Sequence, residues 1–126
     1  MYALIENRRF QLWAYYVTHG TMLIRSPSDA HFETNIDIIC SDVCYVALPR
    51  HLGEIKITDA SEDEIQKATD ILGGNLYRNK VVVFEASSGR HMVVLGTLRI
   101  TSNTDGIFLS PMDYVKRLSS ETASKD

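Results

Sequence analysis

The stretch KVVVFEASSGRHMVVLGTLRI, residues 80–100, constrains the fold more than any other part of the chain. Both arms are nearly unbroken runs of Val, Leu and other apolar residues around a Ser-Gly turn. β-Branched and aromatic residues suit the pleated backbone, so the segment reads as a β-hairpin turning at Ser88-Gly89. A strand with one wet face alternates apolar with polar residues. These arms do not alternate, which places the hairpin at the centre of a core covered on both faces.

A second hairpin lies near the start. FQLWAYYV, residues 10–17, is followed by TMLIRS, residues 21–26, across His19-Gly20. A type I′ turn needs positive φ at both central positions; Gly takes it freely, and His is among the residues enriched there. That turn pairs Thr18 with Thr21, Val17 with Met22, Tyr16 with Leu23, Tyr15 with Ile24, Ala14 with Arg25 and Trp13 with Ser26. One face then carries Trp13, Tyr15, Val17, Met22 and Ile24; the other carries Leu12, Ala14, Tyr16, Leu23 and Arg25. Both faces are largely apolar, so the pair belongs inside a sheet covered above and below, or against another subunit.

Between the hairpins, NIDIIC places Ile36, Ile38 and Cys40 on one face and Asp37 on the other. VCYVALP and EIKI add strands, with Ser41-Asp42 either a bend between strands or a bulge within one. SEDEIQKATDILGG has Ser61 and Glu64 in capping-box spacing and Gly73-Gly74 as a stop, which predicts one helix of about eleven residues with Ile65, Ala68, Ile71 and Leu72 on its buried face. NTDG turns the chain into IFLS, and Pro111 after Ser110 opens a short C-terminal helix, PMDYVKRL. The class is α+β: a mainly antiparallel bent sheet or small barrel of about seven to eight strands, one amphipathic helix between the fifth and sixth strands, and the short C-terminal helix. The crossover through the first helix leaves room for one parallel pair.

At 126 residues the chain suits a single globular domain over residues 1–118, with 119–126 as a flexible tail. The net charge is −3, and the only adjacent basic pairs are Arg8-Arg9 and Lys116-Arg117. A phosphate-binding face needs concentrated basic charge, so nucleic acid is not expected as a partner. Charges interrupt MYALIENRRF where a signal peptide has its apolar core, and no run reaches the length of a membrane helix. A soluble, cytoplasmic protein is expected. Cys40 and Cys44 fit two reduced, buried thiols better than a disulfide framework.

Neither Cys-x-x-Cys, His-Glu-x-x-His, a calcium loop, a Gly-x-Ser-x-Gly elbow nor a P-loop occurs, so neither metal nor cofactor is expected. The residues best able to bind a ligand are cationic groups at turns: His19, Arg50-His51 and Arg90-His91, with Arg25 further down the first hairpin. If two such turns meet, Arg offers a carboxylate or phosphate a bidentate fork and His a pH-sensitive donor. Asp37 stands between two isoleucines; if its face is covered it needs a partner, and Arg25 is the natural one.

VTHGTMLIRSP, NIDII and LPRHL together resemble small bacterial proteins of unassigned activity. The resemblance covers about the first half of the chain and implies no cofactor or catalytic residue. Three functions are compatible with the sequence. One is a non-catalytic protein-interaction or self-assembly module, a homo-oligomer or the subunit of a protein partner, with Trp13, Tyr15 and Ile24 at its interface. The others are a small anionic-ligand binder using the arginines and histidines above, and an enzyme with an unfamiliar His/Arg site.

Overall fold

A computed structural model of the chain describes residues 3–106. The described elements are β1 (Ala3–Tyr16), a 3-10 turn (Val17–His19), β2 (Thr21–Ser26), β3 (Asn35–Ser41), β4 (Tyr45–Val46), β5 (His51–Asp59), α1 (Glu62–Ile71), β6 (Lys80–Ala86), β7 (Gly89–Leu95) and β8 (Thr97–Asn103). The strands form one sheet in the order β4-β7-β6-β5-β1-β2-β3-β8, with every pair antiparallel. This is the expected α+β class, with the helix between the fifth and sixth strands. The expected strand IFLS, the helix PMDYVKRL and the tail 119–126 lie outside the described residues.

No parallel pair forms through α1. Asp59 at the end of β5 faces Val82 near the start of β6, so the excursion through the helix returns to the end it left. α1 has the predicted start: Glu64 N–H donates to Ser61 Oγ and Ser61 N–H to Glu64 Oε1. Its buried face is narrower than expected. Ala68 alone is fully buried, against Val81, Val83, Met92 and Val94, with Leu72 at the margin, while Ile65 and Ile71 stay exposed. The small Ala68 side chain lets the helix sit close to β6 and β7.

The two ends of the strand order are halves of one bent ladder. Ser41 faces Thr97 and Tyr45 faces Val94, so one extra residue sits on the β3–β4 side. Asp42 absorbs it with φ 55°. Backbone bonds carry the pairing through the bend: Gly96 N–H to Ser41 O at 3.0 Å, Cys44 N–H to Val94 O at 2.9 Å and Ala47 N–H to Met92 O at 3.0 Å. The second arm of the central hairpin is therefore broken at Gly96 into β7 and β8, which pair on opposite sides of the corner. Its turn also falls one residue early, at Ser87-Ser88, because Ala86 faces Gly89.

Rolled in this way, the sheet encloses a core that draws Phe10, Met22, Ile24, Ile38, Cys40, Val43, Ile57, Phe84, Val93 and Leu95 from both ends of the order. β4 and β8 do not pair with each other, and the sheet is not a closed barrel. Among the described residues no helix is long and apolar enough to cross a membrane.

The first hairpin departs from its expected register. Its loop spans Val17 to Gly20, with Gly20 N–H donating to Val17 O, and Tyr16 faces Thr21, Tyr15 faces Met22 and Ala14 faces Leu23. Gly20 alone takes the left-handed conformation, at φ 60°, because three residues of 3-10 turn bring the chain round before it. A bulge at Trp13 then resets the pairing, so that Leu12 faces Ile24 and Gln11 faces Arg25. Trp13, Ala14 and Tyr16 consequently pack together on the outer face over Leu23 and Ile39.

Gly20 and Gly53 both have positive φ, at 60° and 71°, but only at Gly20 would a Cβ meet backbone, 3.3 Å from Val43 N. Gly20→Ala should cost about 2–3 kcal/mol and Gly53→Ala about 1 kcal/mol, read from urea denaturation. Equal losses would show that the Gly20–Val43 approach contributes nothing.

Candidate interaction site

Two of the three arginines singled out in the sequence, Arg25 and Arg90, are committed to carboxylates. Arg25 in β2 faces Asp37 in β3, donating from Nε to Oδ1 at 2.6 Å and from Nη2 to Oδ2 at 2.9 Å, with both side chains fully buried. Asn103 Nδ2 donates to Asp37 Oδ2, and Asn35 Nδ2 to Asn103 Oδ1. The Trp13 ring lies 5.3 Å from Arg25 Cζ. This is the partnership that an acid between two isoleucines requires, and it welds β2, β3 and β8 together.

Arg90 holds the helix on the sheet. Its Nη2 and Nε donate to the Glu64 carboxylate at 2.8 and 3.1 Å, and its Nη1 donates to Glu85 at 2.9 Å. The Arg90 hydrogen bonds hold the Glu64 carboxyl down at about 2, well below its ordinary 4.5. Glu64 thus serves both as capping residue and as counter-ion.

The remaining candidates do not converge. His19 is exposed in the 3-10 turn, and Arg50 is exposed just before β5. His51 is exposed as the first residue of β5, opposite Gln11, rather than in a turn. His91 Nε2 lies 2.7 Å from Ser88 Oγ. Among the described residues no hydrogen bond or ion pair joins His19, Arg50, His51 and His91 to one another. The expected interface also divides: Ile24 is in the core, Trp13 is half-buried on the outer face, and Tyr15 alone keeps substantial exposure. Cys40 is buried, its thiol pushed up to about 12 by burial, but Cys44 is exposed because the Asp42 bend ends the alternation between them. Both are free thiols. No group of three His, Cys, Asp or Glu placed to hold a metal occurs among the described residues.

What the structure does bring to one place is two segments that each carry an exposed apolar side chain. Val43 N–H donates to Gly20 O at 2.8 Å, clamping the tip of the first hairpin to the bend. Asn79 Nδ2 lies 3.4 Å from both Asp42 O and Cys44 Sγ, which brings the segment before β6 to the same bend. These two clamped segments carry Val17 and Tyr77, 72% and 65% exposed, the two most exposed large apolar side chains described. The backbone beneath them is strained. Asp42, Tyr77 and Arg78 all take positive φ, a conformation that costs a bulky residue about 1–2 kcal/mol and persists only where its surroundings enforce it. Asn75 helps to enforce it, accepting the Tyr77 N–H at 2.7 Å. The sequence signal for this loop was NLYRN after a double glycine, which marks a turn without saying what it approaches.

Comparison with protein families, curated proteins and solved structures returned no match.

Two outcomes follow from the paired carboxylates. Asp37→Asn should cost about 3–5 kcal/mol in urea denaturation, because it leaves the Arg25 charge buried without its counter-ion. The double change Arg25→Met, Asp37→Leu should cost less than the single one, and a larger loss would show that the charge is not what the single variant leaves uncompensated. Glu64 has a folded value below its unfolded one, so its contribution is complete above pH 4.5 and is lost as pH falls towards about 2. The thermal midpoint of Glu64→Gln should therefore fall less over that interval than that of the unaltered protein. Parallel falls would assign the acid sensitivity to other groups.

Proposed function

We propose that the protein is a non-catalytic interaction module that associates through the corner where the first hairpin, the β3–β4 bend and the loop before β6 meet. The observation that supports this most is the exposure of Val17 and Tyr77 on two segments held to one rigid bend. Large exposed apolar side chains on segments tied to one bend are suited to burial against another protein, since a backbone already held in place leaves less ordering to be done on binding. Tyr is enriched at such contacts because its ring is apolar and its hydroxyl stays wet. In its simplest form the partner is a second copy of the chain. Two free cysteines suit a reducing compartment, which supports placing the module in the cytoplasm.

The anionic-ligand reading loses support at the residues first considered, because Arg25 and Arg90 already bind carboxylates. A catalytic reading gains no support from the scattered histidines.

Mass measured by light scattering over a wide concentration range tests the proposal. The unaltered protein should assemble, and Val17→Asp or Tyr77→Asn should shift it towards monomer with the thermal midpoint nearly unchanged, since exposed substitutions alter stability by about 0.5 kcal/mol or less. Asn is chosen at position 77 because it tolerates the left-handed backbone there. A chain that stays monomeric at every concentration would sink the self-associating form, and variants that assemble like the unaltered protein would remove the corner from it.

A further inference from the structure

Arg8 is a second buried guanidinium, and it differs from Arg25 in having no ion-pair partner among the described residues. Only 6% of the residue is exposed. Its Nε donates to Ser26 Oγ at 2.9 Å, and its Nη2 donates to Ser26 O at 3.0 Å and Thr34 O at 2.7 Å. The Phe32 ring covers the guanidinium, 4.2 Å from Cζ. Every one of these partners is neutral. Asp29 and Glu33 are the acids of the covering segment, residues 27–34, and neither forms an ion pair with Arg8, although the Asp29 carboxyl, held below its ordinary range first by the His31 N–H, also feels the Arg8 charge. Asp29 Oδ1 instead accepts the His31 and Phe32 N–H groups, which folds the segment so that Phe32 lies over Arg8.

A guanidinium has five N–H groups, and the protein accepts three. The two on Nη1 are left over. No hydrogen bond from Nη1 to a described residue is seen, and Arg8 keeps 6% of its surface exposed. The chain spends a large irregularity on this arrangement. Ile5 faces Ile55 and Phe10 faces Gly53, so residues 6–9 of β1 stand against Glu54 alone, with Asn7 at φ 63°. Bulges of this kind re-aim a side chain, and this one turns Arg8 across the ends of β2 and β3. Arg9, exposed beside Arg8, adds one further cation on the bulge, against the acids Glu6, Asp29 and Glu33 of the same two segments.

We propose that Arg8 Nη1 is the receiving end of a binding site for one oxyanion group, a carboxylate or a phosphate, between the residue 6–9 bulge and the 27–34 segment. Because Nε and Nη2 are occupied, the ligand meets a single nitrogen rather than the usual fork, through a charge-assisted hydrogen bond. The site is independent of the corner.

The test is titration of the unaltered protein with potassium phosphate and, separately, potassium acetate, against potassium chloride at matched ionic strength, following the Arg8 Nε–H and Phe32 N–H resonances by NMR. A saturable shift with phosphate or acetate and none with chloride is expected. Saturation by phosphate alone assigns phosphoryl ligands, by acetate alone carboxylates, and by both a site open to either. Arg8→Lys, which keeps the charge, should weaken binding by at least about tenfold, the loss of one charge-assisted hydrogen bond. Non-saturating or chloride-like shifts in the unaltered protein overturn the proposal whether or not the variant folds, and unchanged affinity in a folded Arg8→Lys variant does the same.

Discussion

The hydrogen bond from Gly96 N–H to Ser41 O sits where two long strands bend together, and most of the architecture is anchored there. Bending both strands at one place demands a residue without a side chain on one of them, because a Cβ on Gly96 would stand 3.0 Å from Asp42 Cβ. It demands a left-handed residue on the other, and Asp42 supplies it. Once bent, Val43 turns into the core and its N–H takes Gly20 O, so the tip of the first hairpin is fixed by the same corner. The sheet then curls until residues from β2 and β3 pack against residues from β6 and β7, far apart in strand order but in one apolar cluster.

Parts of this were legible in the residues because they are decided locally. The capping box of α1 needs only Ser61 and Glu64 three apart. The alternation of β3 put Ile36, Ile38 and Cys40 inward and Asp37 outward without reference to any partner, and an acid on a covered face then called for Arg25. Other parts are decided by what the chain meets later. The register of β1 against β2 depended on whether Val17 and Thr18 belonged to a strand or a turn, and neither residue's propensity settles that. The clamp on Gly20 from Val43, some twenty residues on, is part of what does. Ser41-Asp42 was ambiguous for the same reason: a bulge exists only relative to the partner strand, and β7–β8 lies more than fifty residues away.

The candidate site was harder to read than the fold, because exposure and counter-ions are properties of the assembled surface. Histidines and arginines at turns looked available, yet Arg90 proved to be the strut between α1 and the sheet, its capacity taken by Glu64 and Glu85. Val17 looked like the end of a core strand, and Tyr77 follows the double glycine that stops the helix. Both became exposed because the backbone at the corner is held in conformations that local sequence would not choose.

Three arginines show how far context sets the role of one side chain. Arg25 lies directly across a regular ladder from an acid, and regular pairing brings the two charges together at the cost of burying both; such a pair holds strands in register and has little capacity left for a ligand. Arg90 sits at a sheet margin, where its partners are half-wet and its work is to seat a helix. Arg8 reaches its place through an interruption of the ladder, and irregular backbone offers carbonyls and a hydroxyl instead of a carboxylate. A guanidinium bonded to neutral acceptors forms no ion pair with them, and one with two N–H groups unaccepted keeps hydrogen-bonding capacity as well. Of the three, it is therefore the arginine outside the regular ladder that keeps N–H groups the described residues do not accept.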